Sequence, residues 1–275
     1  MEERDDHDKL RTNKGLIRVY LTLFFVGIST IVLSIISSEH KEHVTLFKTL
    51  PDGEQFRIVK KWPLAETRFV EGLEFVSDTE LLMSSGSYGG SHIEILSLEH
   101  EPVETVRSQA LASQYFGEGV SKVGEEYLMM TYQNRKVFRF NSAFEVTQIM
   151  DMPRQIREGW GMTRTSDGLL IVSDGSATLF WIDPSDFSIV RTLQVEEDGI
   201  PVQEVNELEL VGDVLYANIF GKDDVLVIEP TTGNVKNRLK LRSLINDEKA
   251  FLKKEGINWS TYDKLNNVLN GIAYH

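Results

Sequence analysis

Apolar residues in this chain come in short runs divided by polar turns, and the runs group into repeated units. In one unit, Asp167-Gly168 forms a turn signal before Leu169-Leu170-Ile171-Val172-Ser173, and Thr178 to Asp183 follows as the next apolar run. Run, tight turn, run is the pattern of consecutive antiparallel strands. The preceding unit predicts four of them: Glu118 to Val123, Glu126 to Tyr132, Lys136 to Asn141 and Glu145 to Met150. The unit after predicts Val214 to Asn218, then Asp224 to Glu229, with Thr232-Gly233 as a turn.

Each unit opens on a similar tripeptide. Glu71-Gly72-Leu73, Glu118-Gly119-Val120, Trp160-Gly161-Met162 and Asn206-Glu207-Leu208 start 47, 42 and 46 residues apart, and Asn270-Gly271-Ile272 starts 64 later. A period of this size with about four strands per copy describes β-propeller blades. Leu244 to Asn267, charged and helical in places, accounts for the longer last interval. In a propeller the innermost strands line a central channel, so Glu71, Glu118, Trp160, Asn206 and Asn270 are expected to converge on one axis. There they form either a polar, aromatic-walled pocket or only a hydrogen-bonded closure of the channel.

The N-terminal region departs from this pattern. Val19 to Ile36 is a run of 18 residues without a charge, the lower end of a membrane-spanning length. Arg11, Lys14 and Arg18 precede it and Glu39 and Glu42 follow, so the positive-inside bias places the N-terminus in the cytoplasm and the propeller on the lumenal or extracellular side. The expected layout is a cytoplasmic tail (1–18), a transmembrane signal-anchor helix (19–36), a linker (37–54) and the propeller (55–275). A cleaved signal peptide is the rival reading, with Ser37-Ser38 near the cut, but the polar stretch before the run is long for one.

Residues 1–38 hold five acids and five bases, so the whole net charge of −13 belongs to the rest of the chain. Such acidity argues against nucleic acid as a partner and serves solubility. The chain has no cysteine, so its stability depends on packing between blades without disulfides. Asn258-Trp259-Ser260 is a glycosylation sequon, in keeping with a lumenal glycoprotein.

Alternative chemistries find little support. His7, His40, His43 and His275 lie outside the repeats, and His92 and His100 are expected on the surface or in loops, so neither a serine triad nor a histidine-rich zinc site is expected. Asp174-Gly175-Ser176 reads as a turn because further acidic ligands at calcium-loop spacing are missing. Gly86 to Gly90 lacks the lysine and helix of a phosphate loop. No metal or other cofactor is expected.

The ordered motifs Phe69-Val70-Glu71-Gly72-Leu73, Ser85-Gly86-Ser87-Tyr88-Gly89, Phe116-Gly117-Glu118-Gly119, Glu158-Gly159-Trp160-Gly161, Ser173-Asp174-Gly175-Ser176, Asn206-Glu207-Leu208-Glu209, Ala217-Asn218 and Asn270-Gly271-Ile272-Ala273 resemble those of plant-type glutaminyl-peptide cyclotransferases. The resemblance runs from about Arg57 to the C-terminus. It implies an all-β, five-bladed propeller, unrelated in fold to the zinc-dependent animal enzymes. It also implies an activity, conversion of N-terminal glutamine of peptides or proteins to pyroglutamate with release of ammonia.

By that resemblance Glu118 is the proton carrier between amine and ammonia, and Asn206 orients substrate or stabilises the oxyanion. Phe69, Phe116 and Trp160 match aromatic pocket residues, and Glu71, Tyr132 and Phe220 stand where the family has glutamine, tryptophan and tryptophan. A carboxylate at Glu71 beside Glu118 alters the electrostatics, since two close carboxylates raise one of their pKa values. The family's catalytic lysine follows the Asn-Gly-Ile-Ala strand, whereas this sequence stops at His275. The last blade is therefore expected to be incomplete, with Phe56 to Trp62 as its outer strand and the hairpin between missing, as in a fragment or a reduced blade. The alternative function is a catalytically impaired propeller that binds peptides or proteins.

Overall fold

The computed structural model describes residues 19–26, 29–36, 58–63, 69–254 and 268–275. The expected tail, the linker and the sequon lie outside the described residues. Four sheets follow one another along the chain, each a meander of four antiparallel strands. Blade 1 is Val70–Phe75, Glu80–Ser85, His92–Ser97 and Glu104–Ala110. Blade 2 is Gly117–Val123, Glu126–Thr131, Lys136–Phe140 and Val146–Asp151. Blade 3 is Met162–Arg164, Leu170–Val172, Thr178–Asp183 and Ser188–Gln194, and blade 4 is Val205–Val211, Val214–Ile219, Asp224–Ile228 and Val235–Lys240. The architecture is all-β and propeller-like.

The core lies between blades. Leu82, Ile93 and Ile95 of blade 1 pack with Val120, Met129, Phe138 and Phe140 of blade 2. Met130 and Val137 of blade 2 likewise meet Met162, Leu170 and Phe180 of blade 3. A sheet buried on both faces needs apolar residues at consecutive positions, which is why second strands such as Leu128-Met129-Met130 read as unbroken runs. Outer strands are the reverse: every residue of Glu104–Ala110 is exposed.

A further four-stranded sheet is built from both ends of the chain, in the order Ile272–Tyr274, Ser29–Ile36, Val19–Val26, Ile58–Pro63. Its inner strand packs between those of blades 4 and 1, and its outer strand falls where the sequence places it. Two expectations are corrected here. Val19 to Ile36 is a pair of antiparallel strands, with Val19 opposite Ile36 and Val26 opposite Ser29, and not a helix. No helix among the described residues is long and apolar enough to cross a membrane. The middle strands of this sheet, expected to be missing, are supplied by that pair. The run is rich in β-branched residues (Val19, Thr22, Val26, Thr30, Ile31, Val32, Ile35, Ile36) that suit a sheet, and it pairs two strands that would otherwise expose open edges. The last long connection carries the helix Arg242–Lys254, whose Leu244 packs with Leu269 and Ile272.

The opening tripeptides now have a packing reason. The inner strands approach so closely that a Cβ on Gly119 would stand 2.5 Å from the carbonyl oxygen of Trp160, while one on Gly72 would stand 2.8 Å from Val120 N. Gly119 N–H donates to that same Trp160 oxygen (2.7 Å). Only glycine leaves room for this strand-to-strand bond. Gly119→Ala is expected to cost about 3 kcal/mol, because the obstructing atoms are backbone and cannot turn aside; a urea denaturation midpoint matching wild type would contradict it. In blade 4 the glycine is replaced by Glu207, whose Oε2 accepts from Ile272 N (2.8 Å) across the gap.

Candidate active site

The channel residues meet in one hydrogen-bonded chain. Asn206 Nδ2 donates to Asn270 Oδ1 (3.1 Å), and Asn270 Nδ2 donates to Glu71 Oε2 (2.7 Å). The Glu71 and Glu118 carboxyl groups hydrogen-bond to each other. Gly271 N also donates to Asn270 Oδ1 (3.0 Å), which fixes the amide so that its NH₂ must face Glu71. All four side chains are buried. Strands of blades 1, 2 and 4, and the segment just before Ile272–Tyr274, thus contribute to one polar cluster.

Its electrostatics follow from burial. Desolvation holds the Glu71 carboxyl well above the ordinary carboxylate range, opposed by the hydrogen bonds from Asn270 and with Glu118. Desolvation does the same to Glu118, and the charges of Glu71 and Glu158 push it further up. Two carboxylates in contact cannot both ionise cheaply. The pair therefore retains a proton where an exposed carboxyl would have lost it.

The aromatic side chains pack among themselves in two groups. Phe116 packs edge-on to Phe69 (6.1 Å between centroids) and Tyr88 (5.5 Å) and tilts against Tyr132 (5.8 Å). Trp160 packs edge-on to Phe220 at 5.7 Å. Tyr132, Trp160 and Phe220 then line one pocket of about 340 Å³ together with Arg157, Glu158, Asp174, Gly175 and Glu204. The loops set aside as phosphate-like or turn-like seat these rings. A Cβ on Gly86 would strike the Phe116 ring at 2.2 Å, and one on Gly175, which also has φ +74°, would strike Trp160 at 2.7 Å.

Of the residues named from the sequence, Glu71, Glu118 and Asn206 lie in the polar chain, Phe69 and Phe116 pack in an aromatic group with Tyr132, and Tyr132, Trp160 and Phe220 line the pocket, whose lining includes none of the polar-chain residues. Several others went unnoticed. Asp174 does make a turn, accepting from Ser176 N (3.1 Å), but its buried carboxylate also accepts from Arg157 N (3.1 Å) and pairs with Arg157 Nε (3.5 Å), fixing one wall of the pocket. Glu158 accepts from Trp160 Nε1 (3.3 Å) and so orients the indole. Its place two residues before the channel tryptophan was the available signal.

Three residues further along the inner strands lies a second polar ring. Glu74 Oε2 accepts from Ser121 Oγ (2.7 Å) and Lys122 N (2.9 Å), and Glu74 Oε1 pairs with Arg164 Nε (3.1 Å). Thr163 Oγ1 donates to Glu209 Oε2 (3.0 Å) and accepts from Leu210 N (3.2 Å), while Glu209 Oε1 accepts from Tyr274 N (2.9 Å). These side chains latch one blade's inner strand to the next, which makes the ring structural.

The sequence profile of the glutamine cyclotransferase family matches residues 28–275. The glutaminyl-peptide cyclotransferase of Arabidopsis thaliana is 27% identical over 222 residues, covering 80% of this chain and 64% of that protein, so the chain spans just under two thirds of that relative's length. The crystal structure of Myxococcus xanthus glutaminyl cyclase superposes with a TM-score of 0.66 at 30% identity, covering 79% of this chain and 85% of the other. A Bacteroides caccae protein of unknown function shares the fold alone, with a TM-score of 0.53 at 12% identity over 94% of this chain and 98% of that one. With its profile matched along nearly the whole sequence, this chain belongs to the glutamine cyclotransferase family.

Proposed function

We propose that this chain is a glutaminyl-peptide cyclotransferase, an acyltransferase that closes the N-terminal glutamine of peptides or proteins into pyroglutamate and releases ammonia. The observation that carries the reading is the buried Glu71–Glu118 pair held by Asn270 and Asn206, with the charge of Glu158, which lines the aromatic pocket, acting on Glu118. Ring closure is an attack of the substrate's own amine on its side-chain amide, so the protein has to fold the glutamine into a ring-like pose and move protons. The aromatic rings suit the first task and Glu118 the second. Asn206 supplies an amide suited to orient the substrate or to stabilise the developing oxyanion.

The test is ammonia release from a glutamine-initiated peptide against its N-acetylated twin. The free peptide should react and the blocked one should not. Equal release from both would indicate simple amide hydrolysis, and binding without release would favour the binding-module reading.

The finer architecture we propose is a ring of five blades, which the five channel residues and the additional sheet support, with the enzyme on the lumenal or extracellular side of a membrane. The uncharged run Val19 to Ile36 behind Arg11, Lys14 and Arg18 supports that location. The same run can serve as anchor or as blade strands, one at a time. Alkaline extraction of membranes from expressing cells separates the two: an anchor keeps the chain in the pellet, whereas strands in the last sheet release it.

A further inference from the structure

Glu71 does more than line the site. Its carboxyl contacts that of Glu118, and its Oε2 receives the amide N–H of Asn270, whose orientation is fixed by Asn206 and Gly271 N. A donor aimed at one oxygen favours the ionised form of that group. Glu118 has the opposite surroundings: among the described residues no amide donor is aimed at it as Asn270 is at Glu71, and the charge of Glu158, from the loop entering blade 3, disfavours a second negative charge there. The other groups nearby are the neutral amides of Asn206, from blade 4, and Asn270, two residues before the last inner strand. Arg157 and Asp174 face the neighbouring pocket and are paired with each other. Glu74, Glu207 and Glu209 bind strands elsewhere along the channel wall.

We propose, on the cyclotransferase reading above, that Glu71 and Glu118 act as one unit sharing a single proton, with Glu71 as the resting base and Glu118 as the resting acid. The step balances without any other reactant. The α-amine nitrogen forms a bond to the side-chain amide carbon and gives its proton to Glu71. The bond from that carbon to the amide nitrogen breaks, and the departing nitrogen takes the proton of Glu118 and leaves as ammonia. The pair then holds its one proton on Glu71 and passes it across their hydrogen bond to Glu118, restoring the starting state. Glu71 is thereby a proton acceptor in the reaction and not only a part of the binding wall.

The test compares wild type, E71Q and E71D in the pH dependence of kcat, together with infrared difference spectra of the protonated-carboxyl band at neutral pH. Wild type should show a two-limbed kcat profile, because the unit works only with one proton. E71Q should lose about 10²-fold in kcat and one limb of the profile while melting as wild type does, and E71D should recover part of the rate. Its spectrum against wild type should show a displaced carboxyl band, since the partner of the bridging proton is gone. E71Q turning over at the wild-type rate with an unchanged profile overturns the proposal. So does a flat difference spectrum in the carboxyl region, whether or not the chain turns over. A wild type that releases no ammonia, with the displaced band present, would refute the cyclotransferase reading and leave the shared proton standing.

Discussion

Glu118→Gln is expected to lower ammonia release from a glutamine-initiated peptide by about 10²–10⁴-fold, the range over which a positioned proton carrier accelerates a reaction. The substitution keeps the shape of a side chain that is buried at the junction of blades 1 and 2. An amide can still hydrogen-bond to Glu71, so the channel should stay closed and the melting temperature close to that of wild type. What it cannot do is exchange a proton with the amine or the leaving nitrogen. The expected signature is a fall in kcat with little change in KM, because the substitution leaves the aromatic rings proposed to bind the substrate unaltered. Unchanged turnover in the folded variant would exclude Glu118 from proton transfer.

Acidification should stabilise this protein across a range in which many proteins weaken. The carboxyls of Glu71, Glu74, Glu118, Glu207 and Glu209 are buried, and for each of them desolvation is the first cause of a raised pKa. Glu209 is pushed from 4.5 to about 8 by burial and by the charge of Glu74, against the hydrogen bonds from Tyr274 and Thr163. Between those two values the folded state binds more protons than the unfolded state, so stability falls as pH rises. The loss begins near the unfolded value and is complete once the pH has passed the folded one. Each unit of such a shift corresponds to about 1.4 kcal/mol, which makes Glu209 alone worth a few kcal/mol. The melting temperature should therefore peak at about pH 5 and decline toward pH 8. Glu209→Gln, which cannot ionise, should flatten part of that decline. A melting temperature that rises between these values would show that the inner carboxyls are ionised in the folded state.

The blades were legible because their signals are local. In blade 2 the strands expected from Glu118, Glu126, Lys136 and Glu145 are found as Gly117–Val123, Glu126–Thr131, Lys136–Phe140 and Val146–Asp151, each within one or two residues. The turns that end them depend on residues that announce themselves, such as Gly168 with φ 91° and Gly233 with φ 81°. Val19–Val26 and Ser29–Ile36, expected as one helix, are found as strands for a physical reason. An uncharged apolar run satisfies equally a helix surrounded by lipid and strands with two apolar faces, and hydrophobic periodicity does not separate them. The polar chain was legible from the repeat spacing, which brought Glu71, Glu118, Asn206 and Asn270 to one axis, as found. Roles were hidden where they arise from neighbours distant in sequence that no repeat places, as for Glu209, which latches Tyr274.

The account rests on ring closure by this chain itself, and mass spectrometry of a glutamine-initiated peptide incubated with the purified 275-residue protein tests that most directly. The predicted product is lighter by one ammonia, blocked to sequential degradation from its N-terminus, and formed well above the spontaneous rate by wild type but not by Glu118→Gln. A peptide that binds to the pocket and is recovered unchanged, or one cyclised equally fast by the variant, would contradict the account.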